Sequence, residues 1–291
     1  MNFKIGVIVD SFKLDIREGI RKAREVGASG VQIYATQGPM APENLSVRQR
    51  TELLDIVDSN GLIISAICGD LGGGFTDVES NCWKIERSKR IMELAKDLNT
   101  NIVTTHIGVV PEDSKHPRWN IMQEACGTLA EFADQMGAYF AIETGPEASA
   151  VLKKFLDGLK SKGVRVNLDP ANLVMVTGDD PVQAVYNLKD YIVHTHAKDG
   201  VMLRRENPEI IYEMIEESIL TEAAFREVPL GEGSVDFTAY LKALDDIGYN
   251  GYLTIEREVG SNPEKDIRMA VEFLNRTIEQ INKKAIMIMH S

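Results

Sequence analysis

Eight short runs of β-branched and apolar residues alternate with helix-like segments along the chain, and these runs predict buried strands. The segments between them carry helix signals: Asp15 and Ser46 are each followed three residues later by Glu or Gln, and Gly27 and Gly137 follow a last apolar turn. One of the predicted helices spans residues 83–98. The predicted strands cover residues 4–9, 31–35, 62–68, 101–106, 139–143, 165–169, 191–195 and 251–256.

Strands that alternate with helices predict a parallel sheet, because a parallel connection needs a crossover segment. Eight repeats is the number that closes such a sheet into a barrel. The alternative, an open doubly wound sheet, would place a G-x-G-x-x-G turn after the first strand, where this chain has Asp10-Ser-Phe-Lys. The pattern therefore predicts an α/β fold, a (β/α)8 TIM barrel that forms one domain over residues 1–291.

One segment, residues 200–233, breaks the alternation after the seventh strand, with a helical piece predicted over residues 209–220. Loops of this length inside a compact domain are usually functional. We expect this excursion to cover the mouth of the barrel or to pack against a second subunit, so a homodimer or homotetramer is an open alternative. Residues 285–291 form a tail to which the pattern assigns no role.

Composition restricts the partners of a chain of 291 residues with 44% hydrophobic content and a formal net charge of −12. Binding nucleic acid requires clustered Lys and Arg, which this sequence lacks, so we expect no nucleic-acid partner. No apolar run approaches the roughly 18 residues of a membrane helix, so we expect no membrane partner. Three cysteines without metal-type spacing fit a reducing compartment, and the predicted localisation is cytoplasmic.

Carboxylates and imidazoles recur where the predicted strands end, at the edge where barrel enzymes place their chemistry. Ionised carboxylates are rarely buried unless they are paired or bind metal, and three of them at one mouth would repel one another. A divalent ion at this mouth would remove the repulsion. The alternative is a set of salt bridges, for which the strand ends supply few bases apart from Arg257 and Lys198. The predicted metal ligands are Glu143, Asp169, His196 and Glu256.

Three carboxylates with one imidazole favour Mn²⁺ as the single bound ion and also admit Co²⁺, Zn²⁺ or Mg²⁺. His106 faces the same site by strand alternation, and we expect it to hydrogen-bond the substrate rather than to bind a second metal. Trp119 and Phe75 are expected to line a substrate pocket, with ordinary packing as the alternative.

Several motifs resemble the sugar phosphate isomerase/epimerase group of the xylose-isomerase-like barrels, in strand order over essentially the whole chain. The motifs are specific for the superfamily and not for one substrate. They are Ala-Ile-Glu143-Thr, Asn-Leu-Asp169-Pro-Ala-Asn-Leu, His-Thr-His196-Ala-Lys-Asp, Pro-Leu-Gly-Glu-Gly-Ser-Val-Asp-Phe and Gly-Tyr-Leu-Thr-Ile-Glu256-Arg-Glu.

The resemblance implies the same four metal ligands and a catalytic role for Glu143 and Glu256, which would pass a proton from opposite sides of the sugar. It prefers His196 over His194 as the ligand, because the family ligand precedes the step Ala-Lys198-Asp. Glu258 points inward by alternation and is a second candidate on the last strand.

The sequence also departs from the ketose 3-epimerase pattern. Asn172 stands where that pattern has His, Ser149 where it has Glu, and Met202 where it has Arg. These departures change how substrate hydroxyls would be held. The residues predicted to bind substrate are His106, Asn172, Lys198, Glu258 and Trp119.

The predicted function is that of a divalent-metal-dependent sugar isomerase or epimerase, which transfers a proton through an enediolate on a small-molecule ketose or related keto-sugar. The His-x-Lys-Asp step also resembles inosose dehydratases, so a dehydratase or lyase on a keto-sugar or keto-inositol is the alternative. An abasic-site endonuclease shares the barrel but needs more His and Asp ligands. A non-catalytic sugar-binding barrel would be expected to lack the pair Glu143 and Glu256.

Overall fold

The structure, a computed structural model, describes residues 1–215 and 222–289, with the side chains of 285, 286, 288 and 289 left aside. Within these residues a closed parallel barrel forms with the strand order β1-β10-β7-β6-β5-β4-β3-β2, which confirms the predicted (β/α)8 TIM barrel. The barrel strands are β1 (Lys4–Ile8), β2 (Gly30–Tyr34), β3 (Ile63–Cys68), β4 (Ile102–Thr105), β5 (Tyr139–Glu143), β6 (Val164–Leu168), β7 (Ile192–Ala197) and β10 (Tyr252–Ile255).

Helices surround the barrel, and side chains cap the first turns of most of them. The Ser46–Gln49 capping box is present as predicted. Asp15 also caps its helix, but Glu18 pairs with Arg21 at 3.4 Å instead of completing a box. The helices are α1 (Ile16–Glu25), α2 (Val47–Ser59), α3 (Val78–Asp97), α4 (Pro117–Met136), α5 (Ser149–Leu159), α6 (Pro170–Asn172), α7 (Pro181–Leu188), α8 (Pro208–Ile211), α9 (Phe237–Asp246) and α10 (Pro263–Met289).

Two helix boundaries differ from the predicted ones. α3 begins at Val78 rather than at residue 83, because Asp77 accepts a hydrogen bond from the Ser80 amide at 2.8 Å and caps the helix one turn earlier. α10 continues to Met289, so most of the predicted tail belongs to this helix, and residues 290–291 lie outside the described ones. None of the described helices is both long and apolar enough to span a bilayer.

Five buried polar side chains form a layer across the barrel interior, which we call the polar floor: Gln32, Thr104, Asn167, His194 and Thr254. Gln32 donates to Thr104 Oγ1 at 3.1 Å, and its Oε1 lies 3.0 Å from His194 Nε2. Burial, and then the neighbouring His196, lower the pKa of His194 well below its ordinary value, so this imidazole is neutral. His194 is therefore a core residue.

The excursion after β7 contains a two-stranded antiparallel ribbon, β8 (Asp199–Met202) with β9 (Phe225–Val228), which the sequence did not predict. Of its predicted helix, the structure shows α8 alone, and residues 216–220 lie outside the described ones. The carboxylate of Asp199 closes the excursion by accepting from the amides of Gly231, Gly233 and Val235 at 2.9, 3.0 and 3.2 Å. A Cβ at Gly233 would lie 2.0 Å from Asp199 Oδ1, so this approach requires glycine.

Candidate metal centre

Four side chains converge at the carboxyl-terminal mouth of the barrel. Glu143 ends β5, Asp169 follows β6, His196 lies in β7 and Glu256 follows β10. Each is at most 5% exposed, and one potential ligand atom from each lies within 4.8 Å of the others. The strands bring together residues far apart in sequence because their carboxyl ends all meet at this mouth. The structure thus places all four predicted ligands in one cluster.

His196 lies at the centre of the cluster and presents Nδ1 to the acids. This nitrogen lies 3.4 Å from Glu143 Oε1, 3.5 Å from Asp169 Oδ2 and 3.3 Å from Glu256 Oε2. Its Nε2 lies 3.2 Å from Gln32 Oε1 in the polar floor. A proton on Nε2 would satisfy this acceptor and leave a lone pair on Nδ1, as a metal-ligating imidazole requires.

One oxygen of Asp169 accepts no hydrogen bond, although His196 Nδ1 lies 3.5 Å from it. Its Oδ1 accepts from the amides of Ala171 and Asn172 at 2.7 and 2.9 Å and caps α6. Its Oδ2 is buried and accepts no hydrogen bond. Burial raises the pKa of Asp169, against the opposing effect of His196. A buried carboxylate oxygen without a donor is costly, and a cation next to it would satisfy it. The cluster therefore fits a divalent ion with three oxygen ligands and one nitrogen ligand.

Lys198 gives Glu256 a basic partner at the mouth of the barrel. Its Nζ lies 3.1 Å from Glu256 Oε2 and also contacts Glu258. Burial alone would lower the pKa of Lys198, but Glu256 and Asp169 raise it well above its ordinary value. Burial alone would raise the pKa of Glu256, but Lys198 and His196 lower it well below its ordinary value. The mouth thus contains both a salt bridge and a cluster that could hold a metal. The sequence had suggested these two as alternatives.

Arg257, the other base near the strand ends, does not reach the cluster. Its guanidinium pairs with Glu227 at 2.5 Å and with Asp266 at 2.9 Å. These contacts hold the start of α10 and the ribbon strand β9 against the end of β10. Among the bases that the sequence named at the strand ends, Lys198 is therefore the one that faces the carboxylates.

A cavity of about 260 Å³ opens above the cluster. Four of the five predicted substrate-binding residues line it: His106, Asn172, Lys198 and Glu258. The excursion contributes Ile211, Tyr212 and Phe225 to its wall and so lies over the mouth, as one of the two predicted positions required. The remaining lining residues are Tyr34, Cys68, Asp70, Glu143, Met175, Val176, His196 and Glu256.

The predicted substrate-binding role of Trp119 is wrong, because Trp119 does not line this cavity. It is 8% exposed, its ring packs edge-on against Phe155 with centroids 5.3 Å apart, and Lys154 lies over it. Phe75 is likewise a core residue, packed edge-on against Phe140. Trp119 packs on Phe155 of α5 and Phe75 packs on Phe140 of β5, so ordinary packing accounts for both aromatic side chains.

His106 projects into the cavity and is held by Asp70, which sequence reasoning missed. His106 Nδ1 lies 2.8 Å from Asp70 Oδ2, and its buried Nε2 has no hydrogen-bond partner and lies 3.7 Å from Glu143 Oε1. Burial alone would lower the pKa of His106, but Glu143 and Asp70 raise it to about 9. Asp70 lies two residues after the end of β3, a position that indicates the mouth of the barrel but not the direction of the side chain.

Two amides hold the Glu143 carboxylate in place. Asn172 Nδ2 donates to Glu143 Oε1 at 3.2 Å, and Asn167 Nδ2 donates to Glu143 Oε2 at 3.1 Å. Asn172 thus contacts a candidate metal ligand directly, besides facing the cavity. An ionised carboxylate accepts both bonds and keeps further lone pairs for a ligand.

A closed eight-stranded barrel with an acidic cluster that could hold a metal at its mouth defines the class of the protein. The family model for xylose isomerase-like TIM barrels matches residues 20–277. The chain therefore belongs to the xylose isomerase-like TIM barrel family, which confirms the resemblance drawn from the motifs.

Relatives within this class carry different activities in their names. A xylose isomerase domain protein of Planctomyces limnophilus superimposes with a TM-score of 0.80 at 25% identity, covering 97% of this chain and 99% of that one. SgbU of Escherichia coli (strain K12), provisionally named an L-ribulose-5-phosphate 3-epimerase, is 24% identical over 96% of this chain and 98% of its own length. An inosose dehydratase of Clostridium botulinum (strain Alaska E43 / Type E3) is 26% identical over 57% of this chain and 55% of its own length.

Proposed function

We propose that the protein is a divalent-metal-dependent sugar isomerase or epimerase that acts on a ketose or a related keto-sugar by proton transfer. The observation that carries the proposal is the pair Glu143 and Glu256, two buried carboxylates that line one cavity. Glu143 ends β5 and Glu256 follows β10, and β6 and β7 separate these two strands in the barrel, so the carboxylates reach the cavity from different walls. A substrate between them can lose a proton to one carboxylate and regain it from the other.

The residues that would hold the ion are Glu143, Asp169, His196 and Glu256. Two observations support this assignment: Asp169 Oδ2 accepts no hydrogen bond, and Nδ1 of His196 faces the carboxylates. Three carboxylate oxygens and one imidazole favour Mn²⁺, with Co²⁺, Zn²⁺ and Mg²⁺ as further candidates. When bound, the ion would polarise the substrate carbonyl and acidify the C–H bond beside it.

The remaining polar side chains of the cavity would orient the sugar. Lys198 presents an ammonium group next to Glu256, where it can stabilise negative charge on a substrate oxygen. His106 Nε2 and Asn172 Nδ2 both lie beside Glu143 Oε1, at 3.7 and 3.2 Å. Loss of the proton by the substrate gives an enediolate, and its return to the opposite face or to the neighbouring carbon completes epimerisation or isomerisation.

The second candidate is a dehydratase or lyase on a keto-sugar or keto-inositol, and the pair His106 and Asp70 favours it. In that reaction a carboxylate takes the proton beside the carbonyl, and the hydroxyl on the next carbon leaves as water. The departing hydroxyl needs a proton, and an imidazole fixed by Asp70 with Nε2 at the cavity is a suitable donor. The inosose dehydratase among the relatives supports the same reading.

We infer an unphosphorylated substrate from the charges at the mouth. Asp70, Glu143, Glu256 and Glu258 line the cavity, and Lys198 is already engaged by two of these acids. A phosphate placed here would face several carboxylates, and like charges at short range repel. Neutral hydroxyls would instead find carboxylate acceptors on most sides.

The test is a substrate screen with protein stripped of metal and then reloaded with Mn²⁺. Free ketoses, keto-inositols and their phosphates are incubated with the protein, and products are separated by chromatography and mass spectrometry. A product of unchanged mass identifies an isomerase or epimerase, and loss of one water identifies the dehydratase. Turnover that is equally fast with a chelator, or no turnover of any keto-polyol by the reloaded protein, would refute the proposal.

A further inference from the structure

Tyr212 occupies a special position in the excursion, at the carboxyl end of α8. Its ring lies over the imidazole of His106, with centroids 5.3 Å apart. Its hydroxyl reaches the turn after β5, because a Cβ placed on Gly145 would lie 2.8 Å from it. The aromatic side chain thus extends from the excursion to the walls formed by β4 and β5.

Two cavities meet at this ring. One is the cavity of about 260 Å³ above the metal cluster, and the other, of about 210 Å³, lies against the glycine-rich loop at Gly72, Gly73 and Gly74. Tyr212 and Ile211 from the excursion line both cavities, together with Asp70 and His106 from the barrel. Tyr212 is the largest of these four side chains, and it is the one that covers His106 from above.

Contacts on both sides of α8 fix the ring in this place. The Met214 amide donates to Glu209 O at 2.7 Å, and the Met214 sulfur accepts from the Val109 amide at 3.2 Å. Glu209 also pairs with Arg118 at the start of α4. The segment is therefore tied to the barrel at Glu209 and at Met214, before and after Tyr212.

The volume of the cavity above the four candidate ligands limits the size of the substrate that fits there. Sites for drug-sized ligands measure about 300–1,000 Å³. The cavity of about 260 Å³ above the four candidate ligands falls below this range on its own. Joined to the second cavity, it would fall within it. The ring of Tyr212 thus stands where a substituent on the substrate would have to pass.

We propose that Tyr212 is the residue that limits substrate size: it confines the site to one unsubstituted keto-polyol ring or chain and excludes the same molecule carrying an O-glycosyl group. This inference rests on the proposed function for the identity of the reacting group. The second cavity is lined by the acids Asp70 and Glu213, by His106, which Asp70 already engages, and by glycines; it would admit a neutral sugar ring and repel a phosphate. Removal of the Tyr212 ring should therefore open the site to glycosylated substrates and not to phosphorylated ones.

The experiment compares wild type with Tyr212→Ala, and Tyr212→Phe serves as the matched control that keeps the ring. For each protein loaded with Mn²⁺, kcat/KM is measured for a keto-inositol and for its O-glucosyl derivatives. The kcat/KM for the O-glucosyl derivative, divided by the kcat/KM for the free keto-inositol, should rise by about tenfold or more in Tyr212→Ala. A pocket of altered size discriminates by about 10–200-fold. The ratio should stay near the wild-type value in Tyr212→Phe. Tyr212→Leu should give an intermediate ratio and replaces the alanine variant if that one is unstable.

A binding measurement separates this inference from the proposed reaction. Calorimetry with inositol and with O-glucosyl inositol, neither of which has a carbonyl to react, reports the size limit without turnover. Selective gain of glucosyl-inositol binding in Tyr212→Ala supports the inference even if no substrate is turned over, an outcome that refutes the proposed function alone. Wild type that binds both polyols equally, an unchanged ratio in Tyr212→Ala, or weaker binding of both polyols without selectivity would overturn the inference.

Discussion

Replacing Lys198 with Met removes the buried cation that neutralises Glu256. Lys198 is 4% exposed, Glu256 is 5% exposed, and their charged atoms lie 3.1 Å apart. Removing one partner of a buried ion pair costs about 3–5 kcal/mol, because the other charge remains buried without compensation. Each kcal/mol lowers Tm by about 2–4 °C in domains of about 150–250 residues, so metal-free Lys198→Met should melt about 6–20 °C below wild type.

A metal ion in the cluster would restore positive charge next to Glu256 and reduce this loss. We therefore expect Mn²⁺ to raise the Tm of Lys198→Met by several degrees more than that of wild type. The assay is thermal unfolding followed by circular dichroism, with chelator and with saturating Mn²⁺, at one protein concentration and scan rate. Saturating ligand is needed because stabilisation by binding depends on its concentration.

Lys84→Met provides a matched control for this prediction. Lys84 is also a buried lysine, 7% exposed, but its Nζ donates to the carbonyls of Gly72 and Gly74 at 2.9 and 2.6 Å rather than to a carboxylate. Its loss should destabilise the protein by the same amount with and without metal. The reasoning would be refuted if Lys198→Met lost equal stability in both conditions, since the ion would then not compensate Glu256.

Three further predictions concern single carboxylates. Glu143→Gln should lower turnover by about 10²–10⁴-fold at saturating Mn²⁺, because an amide cannot take a proton at neutral pH; initial rates that recover fully on adding metal would contradict this. Asp169→Asn should raise the Mn²⁺ concentration needed for half-maximal activity with little loss at saturation, as metal titration will show; an unchanged requirement would exclude Asp169 as a ligand. Burial raises the pKa of Glu147 from its ordinary 4.5 to about 8, so the carboxyl stabilises the fold at low pH and this stability is lost as pH rises from about 4.5 through 8. Tm measured from pH 5 to 8.5 should thus fall more for wild type than for Glu147→Gln, and parallel curves would contradict the shift.

The barrel and its cluster of candidate metal ligands could be predicted because they follow from local patterns. A run of apolar and β-branched residues predicts each strand. The alternation of side chains along the strand then predicts which side chain at its end points inward. Glu143 and Glu256 each end such a run, so their meeting at the mouth followed once the strands were counted. The barrel geometry supplied the long-range information that the sequence does not display.

The walls of the cavity could not be predicted in the same way. Tyr212 reaches the site because the excursion folds back over the mouth, and its path depends on tertiary contacts such as the pair of Arg118 with Glu209. Asp70 lies in a glycine-rich loop, where no periodicity indicates direction. The residue type of Trp119 suggested a place in the cavity wall. Trp119 is instead the third residue of α4, on the face of that helix that packs against α5. Loop conformation and helix rotation, which one sequence leaves open, decided these three positions.

The most direct test of the central claim is proton exchange at the carbon beside the substrate carbonyl. A keto-polyol that the protein turns over is incubated in D₂O with the Mn²⁺-loaded protein, and deuterium at each carbon is measured by NMR after the metal is removed. The account predicts deuterium at one carbon next to the carbonyl with the wild-type protein, and none with chelator or with Glu143→Gln. Turnover by the metal-loaded wild type in which every carbon-bound hydrogen is retained and no solvent deuterium enters, at any stage of the reaction, would contradict proton transfer through these carboxylates.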